Sequence, residues 1–243
     1  MAGFDRELVI LAENIQRVQE RIAAACARAG RSPSEVTLVA VTKTFPPEII
    51  LRASQLGLRD FGENRVEEAL AKISNLPSAF TWHLVGHLQS RKARDAVQLF
   101  DAIHSVDSVK LADKLSRICI EVGRVMPILL ECNVSGEESK YGFSVATDAE
   151  RAYILSEVKA ILALPGVRVE GLMTVAPLVA NPNQARPVFR ALRELRNELA
   201  AQFPQASWPH LSMGMTDDFE VALEEGATMV RIGRAIFGVR EVN

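Results

Sequence analysis

Apolar positions along the first thirty residues recur at three- and four-residue steps. Leu8, Leu11, Ile15, Val18, Ile22 and Ala25 fall on one face, with charges between them, so the pattern predicts an amphipathic helix. Gly30 and the following "RSPSE" supply its stop signal. After it the period changes. Short apolar runs alternate with amphipathic segments almost to the end of the chain. The runs are "EVTLVAVT", "RDFG", "TWHLVG", "DAIHSV", "MPILLECNV", "VRVEGLMTV", "PHLSM" and "ATMVRIG", separated by helical patterns such as 108–122 and 184–202.

Strands interleaved with helices predict parallel βαβ units, and near-continuous apolar strands suit a sheet covered on both faces. An open doubly wound sheet is the alternative. Eight strand candidates, with no "GxGxxG" after the first, favour an α/β fold of the single (β/α)8 TIM-barrel type with an extra N-terminal helix. No stretch rich in proline, glycine or serine divides the chain, so residues 1–243 are expected to form one domain. That length is ordinary for such a barrel.

Charge narrows the function classes. The formal net charge is −2, which argues against a broad nucleic-acid surface. The basic run "SRKAR" at 90–94 reads as the solvated first turn of a helix. Cys26, Cys119 and Cys132 are too scattered for a disulfide framework or a zinc site, and the apolar settings of Cys26 and Cys132 mark them as buried, inert thiols. No segment has the length of a membrane span, and the N-terminus carries acids from the start, unlike a signal peptide. A cytoplasmic protein is expected.

In a barrel of this kind the chemistry gathers where strands end. Past the first strand, in "VTLVAVTKTFPPEII", stands Lys43, a cation set at the end of an apolar run, where desolvation favours loss of its proton. Past the second stands Asn64. The last two loops carry "SMGMTDD" and "RIGRAIFG", which set Ser212, Thr216 and Gly233 near helix starts. Barrels often build phosphate sites from these two loops, and helix N-termini offer free N–H groups to anions. The competing reading makes Ser212 and Thr216 simple helix caps. A phosphate site combined with a strand-end lysine suggests a phosphorylated carbonyl ligand held as a Schiff base. Pyridoxal phosphate and a phosphorylated sugar both satisfy that description. Arg231, at the mouth-ward end of the last strand, helps to choose: a guanidinium donates to a ring nitrogen only if that nitrogen is unprotonated, which makes the ring a weak electron sink. A salt bridge to a strand carboxylate is the alternative role for Arg231.

The motifs "VAVTKTFP", "FGENRVEEA", "WHLVGHLQSRK", "IHSVDS", "CNVSGEESKYGF", "GLMTVAP" and "LSMGMTDDFEVALEEGATMVRIGRAIFG" resemble the pyridoxal phosphate homeostasis protein family, in order, from about residue 8 to Gly238. The resemblance implies a barrel like that of alanine racemase. It implies that Lys43 carries pyridoxal 5'-phosphate as an internal aldimine and that Arg231 faces the pyridine nitrogen. Ser212, Thr216 and Gly233 match the phosphate cradle, and Asn64 and Met213 lie in matching motifs near the cofactor. The family often has serine in place of Thr216, which keeps the hydroxyl, and asparagine in place of Arg91, which adds charge at the third loop.

Four histidines remain. His83, His104 and His210 are read as structural, and His87 as mouth-ward but without a group to orient it as a base. Lys140 is expected to be exposed and mobile, able to swing to the cofactor as a second amine, with Tyr141 the tyrosine near the mouth. Racemisation needs an acid or base on each face of the cofactor. Alanine racemases draw the second from another domain, for which a chain ending at Asn243 leaves no room. The expectation is a protein that holds and delivers pyridoxal phosphate for vitamin B6 and amino-acid homeostasis without turnover. Pyridoxal-phosphate-dependent apoenzymes are the expected recipients, and the chain is expected to be a monomer. The alternative is a small single-domain racemase.

Overall fold

The computed structural model describes residues 2–137 and 140–238. Eight strands form the frame: β1 (Thr37–Val41), β2 (Asp60–Glu63), β3 (Thr81–Leu84), β4 (Ala102–Val106), β5 (Met126–Asn133), β6 (Val167–Met173), β7 (His210–Ser212) and β8 (Met229–Ile232). Each pairs in parallel with the next, and β8 returns to β1, with Leu38 opposite Val230 and Ala40 opposite Ile232. The sheet is therefore a closed eight-stranded barrel, and it has no free edge. All eight apolar runs became strands. A further two-residue strand, Phe143–Ser144, adds to the end of β5.

The helices are α1 (Ala2–Arg28), α2 (Pro47–Gln55), α3 (Val66–Ile73), α4 (Ala93–Leu99), α5 (Val109–Glu121), α6 (Asp148–Leu162), α7 (Arg186–Gln202), α8 (Phe219–Glu224) and α9 (Arg234–Phe237). Local chemistry starts several of them. Ser108 caps α5 by accepting from the Leu111 N–H, and Thr147 with Glu150 forms a reciprocal capping box on α6. The "SRKAR" run splits: Ser90–Lys92 form one 3₁₀ turn, and α4 begins at Ala93.

Most of the core lies between the barrel and its helices, where Phe61, Phe100, Phe189 and Phe219 are fully buried. A second, smaller apolar cluster of Leu129, Met173 and Met229 forms apart from it. These three alternate with the outward-packed strand residues, so they fill the barrel's interior. Above them, at the C-terminal ends of the strands, polar groups take over. Among the described residues no helix is long and apolar enough to cross a membrane, and no cluster of side chains could hold a metal ion.

Candidate functional site

A cavity of about 540 Å³ opens at the C-terminal end of the barrel. Lys43, Asn64, Thr216, Arg231 and Gly233 all line it, with Val41, Phe45, Val85, Met215 and Arg234 among their neighbours. Five of the seven site residues expected from the sequence therefore converge on one pocket, from β1, β2, β7, β8 and the loops that follow.

Lys43 stands two residues past β1 and is half-buried, less enclosed than its position after an apolar run suggests. The reason is that the strand ends at Val41 and the chain turns sharply. Thr44 adopts a left-handed φ of 67°, rare for a residue with a branched β-carbon. The turn is held from both sides by α3. Glu68 Oε2 accepts from the Thr44 N–H at 3.0 Å. Lys72 Nζ donates to the Thr42 carbonyl at 2.9 Å and to Glu63 Oε1 at 2.8 Å, and the Thr42 hydroxyl donates to the same carboxylate oxygen at 2.7 Å. Burial pushes the Glu63 carboxyl up, against the pull of Lys72 and Thr42. The linear sequence hides this clamp, although Glu63 lies inside the "GEN" motif. Lys72 sits one helix away, and nothing in a linear reading ties it to residue 42.

Arg231 is buried. Its Nη1 donates to Ser212 Oγ at 2.6 Å and its Nη2 to the Thr174 carbonyl at 2.8 Å. Among the described residues no carboxylate lies within ion-pair distance of it. Burial lowers its pKa to about 10, opposed by the charges of Glu131 and Asp218, so the guanidinium stays charged at neutral pH. Glu131 feels the converse: burial raises it to about 7, with Arg231 pulling down and Asp107 pushing up.

Ser212 and Met213 do not line the pocket. Ser212 is fully buried one bond further in, with its hydroxyl between Arg231 and His104 Nδ1, at 3.0 Å from the latter. Met213 is fully buried in the core outside the barrel. Alternation along a strand sends one neighbour inward and the next outward, so the pair cannot both face the cavity. Thr216 does face it, and its Oγ1 accepts from the Ala235 N–H at 3.4 Å, which links the last two loops. Gly214, with φ 94°, has no room for a β-carbon: one would fall 2.7 Å from Ala222 Cβ and 2.8 Å from Phe219 Cα. Asn64 precedes α3 by two residues, and the capping position belongs to Arg65. Arg234, which pairs with Asp217, adds a cation that sequence reasoning left out. Its place beside Gly233 in "RIGRAIFG" was the available signal.

The histidines divide as expected for three of the four. His83 and His104 are buried and hydrogen-bonded, and His210, half-buried, faces Thr228. His87 differs. Asp107 Oδ2 lies 3.3 Å from its Nδ1, and Tyr141 stacks on its ring at 3.9 Å, so it has orienting partners that sequence alone does not reveal. Lys140 is held rather than free: Nζ donates to Ser135 Oγ at 3.2 Å and to Glu137 Oε1 at 3.0 Å. Arg91 turns back to Gln89 on the third loop. All three cysteines are free thiols and buried, and burial pushes each of them up.

A closed barrel with a lysine and an arginine facing one strand-end cavity defines the class, and the family described as "Alanine racemase, N-terminal domain" matches residues 11–241. Within that class the chain belongs to the pyridoxal phosphate homeostasis protein family. It is 45% identical over 230 residues to the pyridoxal phosphate homeostasis protein of Aquifex aeolicus, covering 94% of this chain and 98% of the relative. Its fold is similar to a crystal structure described as an unknown protein from Bifidobacterium adolescentis, with TM-score 0.87, 37% identity and 96% of each chain covered. It is also similar to PipY of Synechococcus elongatus, a structure described with PLP bound, with TM-score 0.80, 38% identity, and 94% of this chain and 100% of that one covered.

Proposed function

We propose that this protein holds pyridoxal 5'-phosphate covalently at Lys43 and takes part in vitamin B6 and amino-acid homeostasis, releasing the cofactor to apoenzymes rather than turning over a substrate. The observation that carries the reading is the convergence of Lys43, Arg231, Thr216 and Gly233 on one cavity of about 540 Å³. When bound, pyridoxal phosphate supplies an aldehyde that condenses reversibly with an amine, and a pyridine ring whose nitrogen governs electron withdrawal. The donor set fits it. Lys43 supplies the amine. Thr216 supplies a hydroxyl, Gly233 a stretch of backbone without a side chain, and Arg234 a cation for the phosphate end. Arg231 has only N–H groups to offer, so it keeps a ring nitrogen opposite it unprotonated and the electron sink weak.

That last property supports holding over turnover. So does the lining of the cavity. Asp217, its carboxylate, is tied to Arg234, and Tyr141 is stacked on His87 outside the lining. Racemisation needs a proton carrier on the face opposite Lys43. Borohydride reduction of protein soaked in pyridoxal phosphate, followed by peptide mass mapping, tests the reading. A pyridoxyl-phosphate adduct on Lys43 is expected, and its absence defeats the proposal. Wash-out of the α-deuterium of L-alanine at enzymatic rates would replace the holding role by racemase chemistry.

A further inference from the structure

Five side chains cross the barrel interior in hydrogen-bond contact. Asp60, the first residue of β2, places Oδ1 3.1 Å from His83 Nε2. His83 Nδ1 lies 3.0 Å from His104 Nε2, the two rings meeting edge to face at 80°. His104 Nδ1 lies 3.0 Å from Ser212 Oγ, which accepts from Arg231 Nη1 at 2.6 Å. The line starts at the N-terminal end of β2 and finishes at the pocket. Asp60 is partly open to solvent, with a side chain 32% exposed, whereas His83, His104, Ser212 and Arg231 are buried.

The two ends fix every proton between them. A guanidinium only donates, and an ionised carboxylate only accepts. Ser212 therefore accepts from Arg231 and gives its own hydrogen to His104 Nδ1. His104 must carry its hydrogen on Nε2 and give it to His83 Nδ1. His83 in turn carries its hydrogen on Nε2 and gives it to Asp60. With both rings neutral, any other arrangement sets two hydrogens or two lone pairs face to face. Burial above all, and the charge of Arg231 with it, hold His104 well below the ordinary histidine range, which keeps it neutral. An additional proton on His83 would reverse His104 and turn the Ser212 hydrogen away from it.

We propose that Asp60, His83 and His104 are positioning residues for Arg231: their one-way relay pins the guanidinium through Ser212, while the Thr174 carbonyl pins its other arm, so that the remaining N–H groups stay aimed at the ligand. The role rests on the reading that pyridoxal phosphate occupies the Lys43 pocket. None of the three needs to touch the cofactor. Their effect reaches it through a chain of polarised bonds, each strengthened by its neighbours in a low-dielectric interior.

The test has two parts. Nitrogen-15 NMR of histidine-labelled protein without added cofactor reads the tautomers directly. Both His83 and His104 are expected to be protonated at Nε2, and a ring protonated at Nδ1 instead overturns the relay. Asp60→Asn and His83→Gln are then compared with wild type for pyridoxal phosphate binding, for the absorption band of the bound cofactor and for thermal stability. The dissociation constant is expected to rise roughly three- to tenfold, with a displaced absorption band and, for the partly exposed Asp60→Asn, an unchanged melting temperature. Wild-type affinity and an unshifted band in both variants would sink the positioning role. If wild type itself takes up no cofactor, the functional reading fails and the role with it, while the tautomers remain readable.

Discussion

The carboxyl of Glu131 shares its strand face with Leu129, which points into the barrel, and its Oε2 has no hydrogen-bond partner. Burial raises its pKa from 4.5 to about 7. An acid raised on folding keeps its proton in the folded state at pH values where the unfolded chain has lost it. The stability it contributes is therefore fully present below pH 4.5 and is lost as pH rises through about 7. Glu131→Gln removes that slope. The difference in unfolding free energy between variant and wild type should shift in the variant's favour by on the order of 3 kcal/mol between those two pH values, and stay flat above them. Urea titrations at pH 4.5, 6 and 8 measure it; a constant difference would show that Glu131 ionises normally. At this scale much of the site was legible. Lys43 and Arg231 stood out because cations at the ends of apolar runs need a reason. Glu131 interrupts such a run from within, yet its isolation depends on strands that come together only in the fold. The partner of His87 is hidden on the same ground, since Asp107 arrives from the loop just past the next strand.

At the scale of elements, α3 is a clamp. Glu68 and Lys72, four residues apart, sit on one face and grip the chain on either side of Lys43. The pair Lys72–Glu63 is nearly dry, with side chains 10% and 0% exposed. Removing one partner of such a pair strands the other. Lys72→Met should cost about 3–5 kcal/mol, whereas Lys72→Met combined with Glu63→Leu should recover most of that loss. Both follow from chemical denaturation. The single variant should also load Lys43 less completely, because the Thr42 carbonyl loses its anchor and the strained Thr44 turn is freer to relax. A double variant no more stable than the single one would deny the pairing. The eight strands and the leading helix were legible because their periods are long and regular. This clamp was not, because a buried lysine on a helix reads as a solvated one until its neighbours are known.

For the whole molecule, the first helix completes what the last begins. Seven of the barrel's strands are followed by helices of six to seventeen residues, but α9 after β8 has four. So short a helix cannot cover the outer face where β8 meets β1. α1 packs across α8 and α9 there, burying Leu11, Ile15, Val18 and Ile22. Asn14 donates to the Ile236 carbonyl at 3.0 Å, and Arg21 pairs with Glu220 at 2.9 Å. Four large apolar side chains at roughly 1.5–3 kcal/mol each give about as much as the whole net stability of an ordinary domain, some 5–15 kcal/mol. The N-terminal helix is thus a wall of the barrel. Ile15→Ala should cost about 2–5 kcal/mol, a fall in melting temperature of roughly 5–15 °C. The exposed Val9→Ala, on the opposite face, should change it little. Because α9 follows directly on Gly233 in the pocket, loosening α1 should also weaken uptake of pyridoxal phosphate in proportion to the lost stability. If Ile15→Ala melts normally, α1 is an appendage and the barrel closes without it.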